Sequence, residues 1–110
     1  WGYYNTLINN EDYLVKKIVI FAKQSISLQL HNHRSEHWIV LDGIATIQIG
    51  QKKIKLKKSE STFVPVKKKH KITNSSNKTL IVLETQLGKK LSENDIIRFE
   101  DQYARTTKKN

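Results

Sequence analysis

The chain has 110 residues, with 20 Lys and Arg against 10 Asp and Glu, a formal net charge of +10 and no cysteine. That length suits one domain with its own core, and the missing cysteines exclude disulfides, thiolate metal sites and cysteine nucleophiles. No apolar run reaches the ~18–20 residues of a membrane span, and no signal-peptide pattern is present, so a cytoplasmic protein is expected. Trp1 is not an initiator residue, which points to a piece of a longer chain.

Taken in chain order, the pattern has period two, the mark of strands. Tyr13 to Phe21 is β-branched and aromatic, and Ile26, Leu28 and Leu30 alternate with Ser27, Gln29 and His31. Ile47 and Ile49 flank Gln48, Ile54 and Leu56 alternate with lysines, and Ser61 to Val66 and Thr79 to Gln86 are further strand candidates. Turn residues separate them at Asn9 to Asp12, Asp42-Gly43, Gly50-Gln51 and Asn74 to Asn77. Ser92 to Phe99 opens on a capping residue followed by acidic ones, which predicts a short helix. Thr106 to Asn110 is polar and expected to fray, leaving one β domain over residues 1–105, a sandwich or barrel.

All but three of the 20 basic residues are lysines, clustered at residues 51–58 and 67–71; the exceptions are Arg34, Arg98 and Arg105. Strongly hydrated lysines suit a solvated surface, and equally an anionic partner. Neither cluster holds an aromatic residue, and nucleic-acid modules pair basic patches with aromatic platforms or a recognition helix. A lysine-driven polyanion binder is therefore only a rival reading, and nucleic acid is not the expected partner.

Three of four histidines fall in His31-Asn32-His33-Arg34-Ser35-Glu36-His37-Trp38. On a strand, residues two apart share a face, so His31 and His33 would present their rings together with Gln29. Leu28 and Leu30 would face the other way and need cover, from the N-terminal strand or from a second subunit, which points to a homodimer. Two imidazoles, a nearby carboxylate and the later His70 make a sulfur-free site for a first-row metal.

These residues also resemble a known family. Ser25 to Gly43 looks like cupin motif one, and Pro65, Lys67, His70 and Asn74 fall on motif two, with Ser25 and Lys67 standing where that pattern has glycines. Residues 27–38 resemble the signature of type II phosphomannose isomerases, the C-terminal cupins of bifunctional mannose-1-phosphate guanylyltransferase/mannose-6-phosphate isomerases. The likeness extends to Trp1 to Tyr4, Glu60 to Pro65 and Asp95 to Asp101. It implies an all-β double-stranded β-helix, a jelly-roll barrel, that interconverts mannose 6-phosphate and fructose 6-phosphate and feeds polysaccharide biosynthesis through GDP-mannose. No glycine-rich nucleotide-cradling motif occurs, so guanylyl transfer would belong to a different domain.

The implied metal ligands are His31, His33, His70 and a carboxylate. Glu36 fits the fourth position counted from Gly43, and His37 fits it counted from His33. Zinc is the default ion for nitrogen and oxygen ligands with an open position, with nickel, iron, cobalt and manganese as alternatives. Candidates for proton transfer are His37 and Glu84, the latter a carboxylate on the otherwise apolar face of Leu80 and Val82. Arg34 could clamp a sugar phosphate, with Arg98, Lys69 and Lys71 as weaker candidates, and Gln29 could bind ligand or hold a metal-bound histidine. Trp38 reads as core, Pro65 as a strand end and Asn74 as a turn brace. A catalytically silent cupin that binds a sugar phosphate or nucleotide sugar is the other rival.

Overall fold

The computed structural model describes residues 1–99, so the expected tail at 106–110 and the domain end at 105 lie outside the described residues. Ten strands follow one another: β1 (Gly2–Asn9), β2 (Tyr13–Ile20), β3 (Gln29–Leu30), β4 (Arg34–Asp42), β5 (Ala45–Ile49), β6 (Lys52–Leu56), β7 (Ser61–Val64), β8 (His70–Thr73), β9 (Leu80–Gly88) and β10 (Ile97–Arg98). They form two five-stranded antiparallel sheets, ordered β1-β2-β9-β4-β7 and β10-β3-β8-β5-β6.

The inner face of the first sheet divides along its strands. Inward residues are Leu14, Lys16, Ile18 and Ile20 on β2, Arg34, Glu36, Trp38 and Val40 on β4, and Leu80, Val82, Glu84 and Gln86 on β9. Register aligns like with like: Ile20 lies beside Leu80 and Val82 beside Val40, whereas Lys16 and Trp38 flank Glu84 and Glu36 lies beside Gln86. The apolar ends join Ala45, Ile47, Leu56, Val64 and Ile72 in one core. Each fully buried aliphatic side chain there contributes about 1.5–3 kcal/mol. The polar ends are left to line a cleft in the other half of the sandwich.

Turn chemistry follows the sequence. Gly50 (φ 60°) leads the two-residue β5–β6 hairpin, and Gly43 (φ 90°) turns the chain after β4. Buried Asn74 braces its loop, with Nδ2 donating to the carbonyls of Ile20, Phe21 and Lys78 and Oδ1 accepting from Ser76. Lys67 sits at φ 66°, a left-handed conformation that a non-glycine residue adopts at a cost; Ser25, at the other glycine position, has no positive φ and simply bridges Thr73.

Two expectations are corrected. The predicted helix over 92–99 does not form, and no helix occurs among the described residues. Ser92 closes only a turn, accepting from the N–H groups of Asn94 at its hydroxyl and of Asp95 at its carbonyl. Ile97–Arg98 then pairs with Gln29–Leu30 as β10. Residues 31–33 are likewise not strand, which breaks the alternation that would have placed His31 and His33 on one face.

Candidate active site

β3, β4, β8 and β9 converge on the polar half. His31, Glu36 and His70 are all buried, and one potential ligand atom from each lies within 4.8 Å of the others. Glu36 Oε2 is 3.2 Å from His31 Nε2, and Glu36 Oε1 is 3.9 Å from His70 Nε2. The two rings lie 4.9 Å apart between centroids. Backbone carbonyls fix both tautomers: His31 Nδ1 lies 2.6 Å from the carbonyl of Asp95 and His70 Nδ1 2.9 Å from that of Lys68. Each Nδ1 therefore carries the proton and donates it, leaving the Nε2 lone pair turned into the cluster. Burial pulls the His31 pKa down to about 4, assisted by the Arg34 charge and opposed by the Asp95 carbonyl. His70 is lowered by burial too, against the pull of its Lys68 bond. Both rings are thus neutral at pH 7.

The set suits a metal ion. His70 Nε2 is buried with no hydrogen-bond partner, an orphaned lone pair that an ion would satisfy. Two neutral imidazole nitrogens and a carboxylate at these separations are compatible with bonds of about 2.0–2.2 Å to a shared first-row ion. Arg34 occupies part of that ground. Its Nε donates to Glu36 Oε2 at 2.8 Å, Nη2 lies 3.2 Å from His31 Nε2, and Nη1 donates to the Ser92 carbonyl at 3.2 Å. A guanidinium therefore already neutralises the carboxylate that an ion would use.

Glu84 lies behind this cluster. Its Oε1 accepts from Gln86 Nε2 at 2.7 Å, and Trp38 Nε1–H is shared between Glu84 Oε2 (3.3 Å) and Glu36 Oε1 (3.1 Å). Burial pushes the Glu84 carboxyl up to about 7, the neighbouring Glu36 charge and hydrogen bond add to this, and Gln86 and Arg34 offset only part. A carboxyl so tuned takes and returns protons at neutral pH.

Several expected site residues lie elsewhere. His33 is exposed on the 31–33 loop, its N–H bound to Asp95 Oδ2, and does not join the cluster. His37, adjacent to inward Glu36, points out of the sheet and packs against Phe63, the ring centroids 4.7 Å apart at a 45° tilt. Arg34 points inward, but its guanidinium is engaged by protein groups rather than free for phosphate. Lys69 is exposed over the Phe99 ring. Gln29 is buried and bound to Ser27, and Arg98 lines the same cleft. The lysine-bearing outer face of the second sheet presents Thr46, Gln48, Lys53, Lys71, Thr73 and Ser75 around a shallow cavity without an aromatic side chain.

Two participants escaped the sequence reading. Asp95 clamps the histidine loop, its carboxylate accepting from the N–H groups of Asn32 (2.8 Å) and His33 (2.9 Å) while its carbonyl holds His31. Desolvation acts to raise its pKa, but those hydrogen bonds outweigh it and the net shift is downward. Lys16 points into the cleft beside Glu84; the alternation of Leu14, Ile18 and Ile20 carried that signal.

Two antiparallel sheets closed around a half-apolar, half-polar interior with two histidines buried in its polar half define a cupin, a double-stranded β-helix. Solved structures agree on the fold. An uncharacterized double-stranded β-helix protein from Klebsiella pneumoniae superposes with a TM-score of 0.79 at 18% identity, covering 91% of this chain and 85% of that one. A predicted oxalate decarboxylase from Thermotoga maritima gives 0.72 at 20% identity, covering 77% and 78%. Within that class, residues 1–101 match the family described as mannose-6-phosphate isomerase C-terminal, and the chain belongs to it. Relatives include the xanthan biosynthesis protein XanB of Xanthomonas campestris pv. campestris, 39% identical over 96% of this chain. The mannose-1-phosphate guanylyltransferase of Klebsiella pneumoniae is 36% identical over 96%, and the alginate biosynthesis protein AlgA of Pseudomonas putida 38% identical over 97%. The chain spans only 23%, 22% and 22% of their respective lengths.

Proposed function

We propose that this domain is a metal-dependent aldose–ketose isomerase interconverting mannose 6-phosphate and fructose 6-phosphate, as part of a pathway that builds mannose-containing polysaccharides. The observation that carries this reading is the pairing of the inward-facing His31–Glu36–His70 set with a carboxyl, Glu84, tuned to about 7, in a chain of the mannose-6-phosphate isomerase C-terminal family. His31, Glu36 and His70 would hold one divalent ion, with zinc the default for this donor set. When bound, the ion supplies Lewis acidity that polarises the carbonyl and hydroxyl oxygens of the sugar.

Isomerisation moves a proton between C1 and C2 of the open-chain sugar and another between O1 and O2. Glu84 as carboxylate takes the proton from C2 of the aldose, leaving an enediolate with its charge on O1; the proton on O2 passes to O1, and Glu84 as carboxylic acid returns its proton to C1, which gives the ketose. Its pKa keeps both forms populated at neutral pH, and Gln86 and Trp38 hold its two oxygens in place. Ser27 orients buried Gln29, whose amide faces the same cleft as Glu84.

The test is a coupled assay of mannose 6-phosphate turnover by the purified chain. Turnover that disappears with chelator, returns with added zinc and is lost in Glu84→Gln supports the isomerase. Sugar-phosphate binding without turnover replaces it with a silent binding module, and chelator-indifferent, steeply salt-dependent retention of RNA or DNA replaces it with a polyanion binder.

A further inference from the structure

The cleft beside the histidine cluster has a volume of about 120 Å³ and is lined by Tyr4, Lys16, Gln29, Arg34, Glu93 and Arg98 among others. Three cationic side chains on one small concavity are costly unless something anionic compensates them. Arg34 has its compensation in Glu36. Arg98 has no ion-pair partner among the described residues, and Lys16 has one that faces solvent. Arg98 Nε is buried with no hydrogen-bond partner among the described residues. Lys16 has a side chain only 6% exposed, and its ammonium lies 4.1 Å from the Tyr4 ring centroid. Its carboxylate partner, Glu93 Oε2 at 2.6 Å, belongs to a side chain 62% exposed at the rim.

That asymmetry is informative. A buried lysine matched to a solvent-facing glutamate on an irregular segment has a partner that can swing into water at small cost, whereas Lys16 cannot leave. We infer that Lys16 and Arg98 form an anion-binding end of the cleft that takes a phosphomonoester dianion, and that Glu93 fills this end until the dianion displaces its carboxylate. The sugar-phosphate ligand class rests on the function proposed above; the site itself rests on the two cations and the replaceable carboxylate. A dianion satisfies both cations at once and accepts the unused Arg98 N–H, as Glu93 does not. Lys16 and Glu84 are neighbours across β2 and β9, so a phosphate held here sets the rest of the sugar alongside the proton-transfer carboxyl.

Calorimetric titration of the zinc-loaded chain with fructose 6-phosphate, inorganic phosphate and fructose tests this. The expected result is binding of fructose 6-phosphate and phosphate but not of fructose, weakened about tenfold or more in Lys16→Gln and in Arg98→Gln at unchanged metal content. Glu93→Gln, at an exposed position that tolerates substitution, is expected to tighten binding several-fold because the competing carboxylate is gone. Equal affinity for fructose, unchanged affinity in Lys16→Gln, or weaker binding in Glu93→Gln would overturn the inference. The predicted mutational pattern in a chain without isomerase turnover upholds the anion site while removing the isomerase reading.

Discussion

Replacing Arg34 by Met separates the protein's internal cation from the metal proposed to share its position. The guanidinium touches Glu36, His31 and the Ser92 carbonyl, and Glu36 is 1% exposed. Without it, the Glu36 carboxylate keeps only the Trp38 N–H and becomes an uncompensated buried charge. Breaking such a pair costs about 3–5 kcal/mol, a large share of the roughly 5–15 kcal/mol that stabilises a domain. In chelator the variant should therefore lose more than about 10 °C in Tm, at about 4–8 °C per kcal/mol for a small domain. A divalent ion on Glu36 restores the missing positive charge, so in zinc the deficit should shrink to about 1 kcal/mol or less. Urea denaturation of both proteins, in chelator and in zinc, measures the four stabilities. Equal losses in the two conditions, or no loss in chelator, would refute the idea that guanidinium and metal serve the same carboxylate.

Three further outcomes are expected. Because Glu84 is raised from 4.5 to about 7, the folded state holds its proton more tightly than the unfolded chain. Its contribution is full below pH 4.5 and is lost as pH rises through 7. Metal-free Glu84→Gln should match the wild type near pH 4.5 and exceed it by about 1–3 kcal/mol at pH 8; His31 and His70 act with the opposite sign but cancel in the comparison, and a constant difference across pH would contradict it. Asp95→Ala should release the histidine loop and weaken zinc binding about ten- to hundredfold in a competition titration, whereas unchanged affinity would leave Asp95 without a positioning role. The outer face of the first sheet carries Tyr13, Ile39, Phe63 and Leu87, all more than a third exposed, with Val15, Ile81 and Leu83 between them. Four strands of eight or nine residues and the four-residue β7, about 4.8 Å apart, span about 600 Å², somewhat less than one side of a standard interface. The lysine clusters lie on the other sheet and β2 places only Lys17, opposite Leu83, on this face, so a second copy meets limited repulsion here; sedimentation should show a dimer that Ile39→Lys with Leu83→Lys dissociates, and a monomeric wild type would refute it.

The fold was legible wherever one strand face is wet and the other dry. Tyr13 to Ile20 and Leu80 to Gly88 show that alternation, and the turns fall where Gly and Asn permit them. β1 was not read because nearly all of its residues are exposed on this edge strand, which leaves no two-sided pattern. β10 was missed because Ser92 to Asp95 has the composition of a helix start, yet Asp95 spends its carboxylate and carbonyl on the histidine loop. The same clamp explains His33: residues 31–33 bend around Asp95, so the period-two rule holds from Ser27 to His31 and again from Arg34 onward, and slips by one residue between them. Glu36 and Glu84 were readable from strand alternation, whereas Glu93 was not, since its pairing with Lys16 joins residues 77 positions apart.

Metal content by elemental mass spectrometry on the purified wild type, His33→Ala and His70→Ala bears most directly on the site. About one transition-metal ion per chain is expected in the wild type and in His33→Ala, with most of it gone from His70→Ala. Full occupancy in His70→Ala, or its loss in His33→Ala alone, would contradict the ligand set of His31, Glu36 and His70.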